Sequence, residues 1–326
     1  MNKILSKLCI LKHHERIYGV RNPLTYDFLH HNLHHLHILL FHSADQQNFT
    51  RGPILRQLLI FMLPILLSQF LQQLYMIADT ALVGQVLGAQ ALAAVGTASL
   101  ILSVIVNFFI GFSAGLSILV SHLYGEKNFV RLSALVQSIF ITVITFAVLF
   151  TAASIILTEQ LLTTLSTPTE LIPTASLYLH VVLYGMLAQL LYNTANAILR
   201  ALGNATSTLH YLAAAVVLNI ALDVILLIVI PFGIAGATVI AQYAAALLAL
   251  WKLFHLHGTW KLRLNRPFLT PRYLLPILST SIPAGLQAVF MSMSSLVIQT
   301  YINSFGYAAM AGMTVYARIE GFLYYP

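Results

Sequence analysis

Charge is what this sequence has least of. Only 8% of its 326 residues are Asp, Glu, Lys or Arg, against roughly a quarter in a soluble globular domain, so most of its surface is not built for water. Cysteine is nearly absent: the single thiol, Cys9, excludes an internal disulfide and a thiolate metal cluster. The N-terminus lacks a cleavable signal pattern, because its first apolar stretch is short and broken by charge and histidine, and the first long apolar run is expected to direct insertion itself. Also missing is the polar-apolar alternation over about ten positions that membrane barrel strands require; the run from Leu212 to Ile230 has no such rhythm.

What is present is hydrophobic, 59% of the residues, gathered in runs long enough to cross a hydrocarbon core of ~30 Å. These runs predict an all-α, polytopic helical membrane protein with spans near 55–82, 91–121, 132–157, 171–199, 207–230, 233–254 and 273–303, and an eighth beginning at 308. The linkers between them are Gly84 to Gln90, Gly125 to Arg131, Thr158 to Glu170, Gly203 to Ser207, Pro231 to Gly233 and the longer His255 to Arg272. A weak internal echo crosses the last of these: Pro64 is followed by Gly88, Ala91 and Ala93, and Pro283 by Gly306, Ala309 and Ala311. Six spans separate the copies, so the repeat is parallel and its axis lies along the membrane normal. The expectation is two pseudo-symmetric six-helix lobes, about twelve spans in a longer protein. The first lobe, 49–257, is complete; a cytoplasmic linker, 258–272, leads to the start of the second, 273–326, where the eighth span is only partial.

Residues 1–48 hold eight of the thirteen histidines, including His30, His31, His34, His35 and His37. Spacings of three and four would suit metal ligands on one helix face. A disordered or spurious extension is the preferred reading, because the apolar pattern begins near Phe49.

A net charge of +7 raises the question of nucleic acid, and the placement of the sixteen Lys and Arg residues answers it. Lys3, Lys7, Lys12, Arg16, Arg21, Arg51 and Arg56 stand before or at the first span, Lys127 and Arg131 after the second, Arg200 at the end of the fourth, and Lys252, Lys261, Arg263, Arg266 and Arg272 after the sixth. Loops after odd-numbered spans have none. By the positive-inside rule the N-terminus and every even-to-odd loop are cytoplasmic, and the basic character reflects topology, with no nucleic-acid partner.

Chemistry is concentrated in a few polar positions. Pro64, Ser68, Gln72, Tyr75 and Asp79 recur at spacings of three and four and share a face of the first span. An Asp in mid-helix is unfavourable in lipid by roughly 2.5 to 3.5 kcal/mol, so this face should look into the bundle or a wet cavity, or else Asp79 reaches interfacial water at the outer end. Asn219 and Asp223 share a face of the fifth span, and Tyr192, Asn196 and Arg200 a face of the fourth. Helix-to-helix hydrogen bonding alone would also account for the asparagines. Two acids with no Lys or Arg inside the spans between them point to a dissociable cation, a proton or Na⁺, as partner. Pro64 offers a bend point, either static or a hinge. Gly111 with Gly115, and Gly84 with Gly88, read as small-residue pairs for close helix packing. No Ser/His or metal-ligand set appears within the spans, so the chain is not read as an enzyme, and no cofactor is expected beyond the coupling ion.

Read together, FTRGPILRQLLIFMLPILLSQFLQQLYMIADTALVGQVLGAQALAAVG from Phe49, SAGLSILVSHLYGEKN, ILRALGNATS and LNIALDVILLIVIPFGIAGATVIAQ resemble the multidrug and toxic compound extrusion (MATE) family, over Phe49 to Pro326. The resemblance implies a bacterial inner-membrane antiporter whose two lobes form a V-shaped cleft open to each face in turn. It implies Asp79, Asn219 and Asp223 as cation ligands, with Thr238 in or near the place of a sixth-helix threonine. It implies Gln72, Tyr75 and Asn196 as cleft lining and Pro64 as the bending proline, fifteen residues before the acid. Some members carry an acid on the seventh helix, but Gly285 to Gln299 has none, and Arg318 and Glu320 are two apart on different faces. The expected function is cation-coupled export of amphipathic, often cationic organic compounds by a monomer in the lipid bilayer. A flippase for a lipid-linked precursor and an inactive truncated fragment are the alternatives.

Overall fold

The computed structural model describes the backbone of residues 54–86, 88–164, 172–229, 233–256 and 270–303, with side chains except those at 56, 75–97, 99–100, 164, 227–229, 233–234 and 294–303. These residues all belong to one compact unit, Gln46–Pro326. The expectations for residues 1–48, for the linker from 257 to 269 and for the eighth span lie outside them, while Pro271 and Arg272, read as the end of the linker, already belong to a helix.

The described residues form eight helices: α1 (Ile54–Val86), α2 (Gly88–Gly125), α3 (Phe129–Thr164), α4 (Ile172–Tyr184), α5 (Met186–Ala201), α6 (Ala205–Val229), α7 (Gly233–Phe254) and α8 (Pro271–Asn303). Six are long and apolar enough to cross a membrane, and α4 and α5, bent by 43° to one another, pass the same test as a pair and make a seventh if they form one span. The apolar runs fold this way because hydrocarbon offers no partner for backbone N–H and C=O groups, and a helix satisfies them within itself.

Three sequence expectations change. The fourth span, read as one helix, breaks at Gly185. The linker read from Thr158 to Glu170 is helical as far as Thr164, because packing outweighs local polarity: Leu162 is fully buried, and the buried Thr158 hydroxyl donates to the Ser154 carbonyl at 2.9 Å. The linker read from Gly84 to Gln90 is also mostly helical, α1 running to Val86 and α2 starting at Gly88.

Two turns on the same side of the bundle are built alike. After α2, Lys127 adopts a positive φ of 58°, the Asn128 N–H closes on the Leu123 carbonyl at 3.2 Å, and the Asn128 side-chain oxygen accepts from the Arg131 N–H at 3.3 Å. After α5, Gly203 has φ 86°, the Asn204 N–H closes on Leu199 O at 2.8 Å, and Asn204 Oδ1 accepts from the Ser207 N–H at 3.1 Å. Each turn ends one helix through a left-handed residue and caps the next with the asparagine after it, so the exposed carbonyls and N–H groups of both helix ends are met.

The core lies among α2, α3, α4 and α5, where Phe109, Phe112, Leu116, Leu132, Ile139, Leu183 and Leu190 are wholly or almost wholly buried. An aromatic column joins α2 to α3: the Phe112 and Phe146 rings stack at 5.2 Å and the Phe108 and Phe150 rings at 6.1 Å. Large apolar side chains on the outer faces, such as Leu149, Ile156 and Leu275, suit contact with lipid tails.

The small-residue pair of α2 finds its partner in α8. A Cβ on Gly115 would meet the Ser281 Cα at 2.6 Å, and one on Gly111 would strike the Ala284 carbonyl and the Ala288 Cβ. Asn107 Nδ2 donates across the same seam to Ser292 Oγ at 2.8 Å. Helix α8, read from the sequence as the start of a second lobe, is thereby packed along α2.

Candidate functional site

The buried stripe of α6 explains where its polar residues go. Leu212, Ala215, Asn219 and Asp223, spaced by three and four, are buried, whereas Val217, Ile220, Val224 and Ile225 are exposed. Helical periodicity therefore carries a carboxylate and an amide inward, Asp223 at 1% exposure and Asn219 at 2%. Among the described residues neither the side-chain nitrogen nor the oxygen of Asn219 has a hydrogen-bond partner, and a buried amide left so calls for a water, an ion or a functional role to explain it.

Helix α6 packs against α1 and α7, which carry the other expected cation ligands. Helical rise places them by level. Asp223 stands six residues before the end of α6 and Asp79 seven before the end of α1, so both backbones lie ~10 Å below the same side of the bundle. Measured from the opposite side, Asn219 and Asp223 rise about 21 and 27 Å along α6, and Thr238 of α7 about 24 Å. Thr238 is half-buried. The side chains of Asp79 and Tyr75 lie outside the described residues.

Asn196 stands on a different level. It lies five residues before the end of α5, only about 8 Å from the inner turn and roughly 20 Å along the axes from Asp223. There it shares a helix face with Tyr192 and Arg200, and its carbonyl accepts from Arg200 Nε at 3.3 Å. Tyr192 and Asn196 are buried and Arg200 is half-buried. The bundle thus holds polar side chains on two levels, Asn219 and Asp223 toward one face and Tyr192, Asn196 and Arg200 toward the other.

Along α1 the polar face changes from buried to open. Pro64 is buried, Ser68 is half-buried and donates to the Pro64 carbonyl at 2.7 Å, and Gln72 is exposed. A serine bonding back four residues, next to a proline, is a local arrangement that bends helices. A separate shallow groove on α8, lined by Pro283, Leu286, Gln287, Phe290 and Met291, holds no titratable group.

Sequence reasoning missed the joint between α4 and α5. Gln242 of α7 places its side-chain oxygen where a Cβ on Gly185 would stand, and the Tyr243 hydroxyl donates to the Tyr184 carbonyl at 3.1 Å. The available signal was a glycine inside an otherwise unbroken helical pattern.

Comparisons with known proteins agree with this architecture. Residues 64–225 match the family described as MatE. The probable multidrug resistance protein YpnP of Bacillus subtilis is 31% identical over 286 residues, covering 86% of this chain and 63% of that protein. The multidrug export protein MepA of Staphylococcus saprophyticus is 22% identical over 277 residues, with 84% and 61% covered. A solved structure described as the outward-facing conformation of a multidrug resistance MATE family transporter of the MOP superfamily superposes with a TM-score of 0.77 at 23% identity, covering 83% of this chain and 61% of that one. At that identity the likeness is one of fold. The chain spans about three fifths of the length of these relatives.

Proposed function

The chain belongs to the MATE family through its residues 64–225, a family of transporters and not of enzymes, and on that premise we propose that it serves cation-coupled export of amphipathic, cationic organic compounds. Asp223 is the observation that carries the reading: a carboxylate at 1% exposure, one helical turn from an unsatisfied Asn219, inside a membrane bundle. An ionisable residue held there at such a desolvation penalty is retained for an ion or a proton. Asp223 and Asp79 take the coupling cation, H⁺ or Na⁺, from outside; Asn219 and Thr238 supply neutral oxygens, and Gln72, Tyr75 and Asn196 are assigned to the substrate. Bending at Pro64 closes the cleft that the first lobe shares with the second. One charge crossing the membrane supplies about 2.3 kcal/mol per 100 mV, enough for a substrate gradient of roughly fiftyfold.

The protein is multi-pass. Lys127, Arg131, Arg200, Lys252 and Arg272 all stand at helix ends on one side of the bundle, which supports placing that side and the N-terminus in the cytoplasm of a bacterial inner membrane. The transporter works as a monomer. In proteoliposomes it should expel a fluorescent organic cation when a proton or Na⁺ gradient is imposed. Equal efflux with and without either gradient overturns the coupling.

A further inference from the structure

The break at Gly185 stands on the level of Asn219 and Asp223. Sixteen residues separate it from the end of α5, about 24 Å of rise, against about 21 and 27 Å for Asn219 and Asp223 on the adjoining antiparallel helix. We propose that Gly185, held by Gln242 and Tyr243, is a second bend point, at which α4 swings against α5 when a cation occupies the Asn219–Asp223 level. The proposal rests on the cation-coupling reading of Asp223 and assigns Gln242 and Tyr243 as positioning residues.

The local bonding favours two arrangements over a fixed kink. The Gly185 N–H closes on Val182 O at 2.9 Å, a tighter turn than the helical ladder, and the Tyr184 carbonyl is taken by the Tyr243 hydroxyl. Gln242 Oε1 is buried against Gly185 and, among the described residues, has no donor. A bare buried acceptor is destabilising, and a swing that turns the Gly185 N–H toward it exchanges one acceptor for another. A Cβ on Gly185 would displace the Gln242 side-chain oxygen and lie 3.1 Å from both the Val182 carbonyl oxygen and Val239 Cγ2, so the glycine is what lets Gln242 approach the joint. His180 Nε2, on the turns of α4 before the break, is also buried without a partner among the described residues.

Burial decides which half moves. Helix α5 buries ten of its sixteen residues and is wedged among α2, α3, α6 and α7. Helix α4 buries six of thirteen, with Leu177 and Tyr184 exposed, so it is the arm. Leu177 lies eight residues from the joint, and straightening a 43° bend would carry it by roughly 9 Å.

The test uses the full chain in lipid vesicles with Cys9→Ser and spin labels at Leu177→Cys and Ile225→Cys, both exposed positions. Pulsed electron resonance reads their separation in choline and in NaCl, and at two pH values, while calorimetry on the same samples reads cation binding. The expected result is a cation-dependent shift of several ångström that Gly185→Ala removes and Tyr243→Phe and Gln242→Ala bias toward one population. Tyr243→Phe removes one hydroxyl from a partly exposed side chain, so it carries the test if Gly185→Ala does not fold. Cation binding without a shift overturns the joint, as does a shift that survives all three substitutions. A shift that persists in Asp223→Asn overturns coupling at Asp223 while the joint stands; absence of binding overturns both.

Discussion

Replacing Gly115 by alanine adds one methyl group to the seam between α2 and α8, where the surrounding atoms cannot yield. The new Cβ would lie 2.6 Å from the Ser281 Cα, 2.8 Å from the Thr280 carbonyl oxygen and 3.0 Å from the Ser281 nitrogen. All three are backbone atoms of a helix, so no rotamer change relieves them. Carbon atoms sit comfortably at about 3.5 to 4 Å, so α8 must retreat by about 1 Å along the contact. Retreat loosens the packing of Gly111 against Ala284 and stretches the hydrogen bond from Asn107 to Ser292. Overpacking of this kind costs about 1 to 3 kcal/mol and an interhelical hydrogen bond in a membrane contributes about 0.6, so a loss of about 2 kcal/mol is expected. In an unfolding titration of purified protein in mixed micelles, that appears as a roughly thirtyfold change in the folding equilibrium. Gly125→Ala is the control: nothing lies within 4 Å of its Cβ, and it should stay within about 0.5 kcal/mol of the parent. Equal stability of the Gly115 and Gly125 variants would refute the close packing of α8 on α2.

The twin turns give further expectations in the same titration. Lys127→Gly relieves a left-handed lysine at φ 58° and should stabilise by about 1 kcal/mol. Asn204→Ala removes the buried cap that meets the Ser207 N–H and should cost about 1 kcal/mol, with Asn128→Ala losing a similar or smaller amount at its more exposed turn. A double-mutant cycle on Asn107 and Ser292 should return a coupling of about 0.6 kcal/mol, and zero coupling would remove that hydrogen bond from the seam.

Much of the fold was legible because membrane helices announce themselves locally. The spans follow from apolar length, and the inward direction of Asn219 and Asp223 follows from their spacing with Leu212 and Ala215, which share the stripe. What stayed hidden depends on residues far apart in sequence. The bend at Gly185 lies against Gln242 and Tyr243, more than fifty residues later, and no periodicity within the fourth span contains them. The pair Gly111 and Gly115 signals close packing but not its partner, since small residues are equally accommodating to any helix; only the structure names α8. The extension of α3 through Thr164 was masked by polar residues, Thr158, Glu159 and Gln160, that look like a loop, while Leu162 is buried against the core.

The central claim is that Asp223 couples cation movement to export. Its most direct test measures gradient-driven efflux of a fluorescent organic cation from proteoliposomes with Asp223→Asn beside the parent protein. The substitution nearly keeps the size of the side chain, removes its charge and titratable proton, and replaces one carboxyl oxygen with an NH2 donor. Binding of the organic cation is predicted to persist while efflux no longer responds to an imposed proton or Na⁺ gradient. Unchanged gradient-driven efflux in the Asp223→Asn protein would contradict the claim.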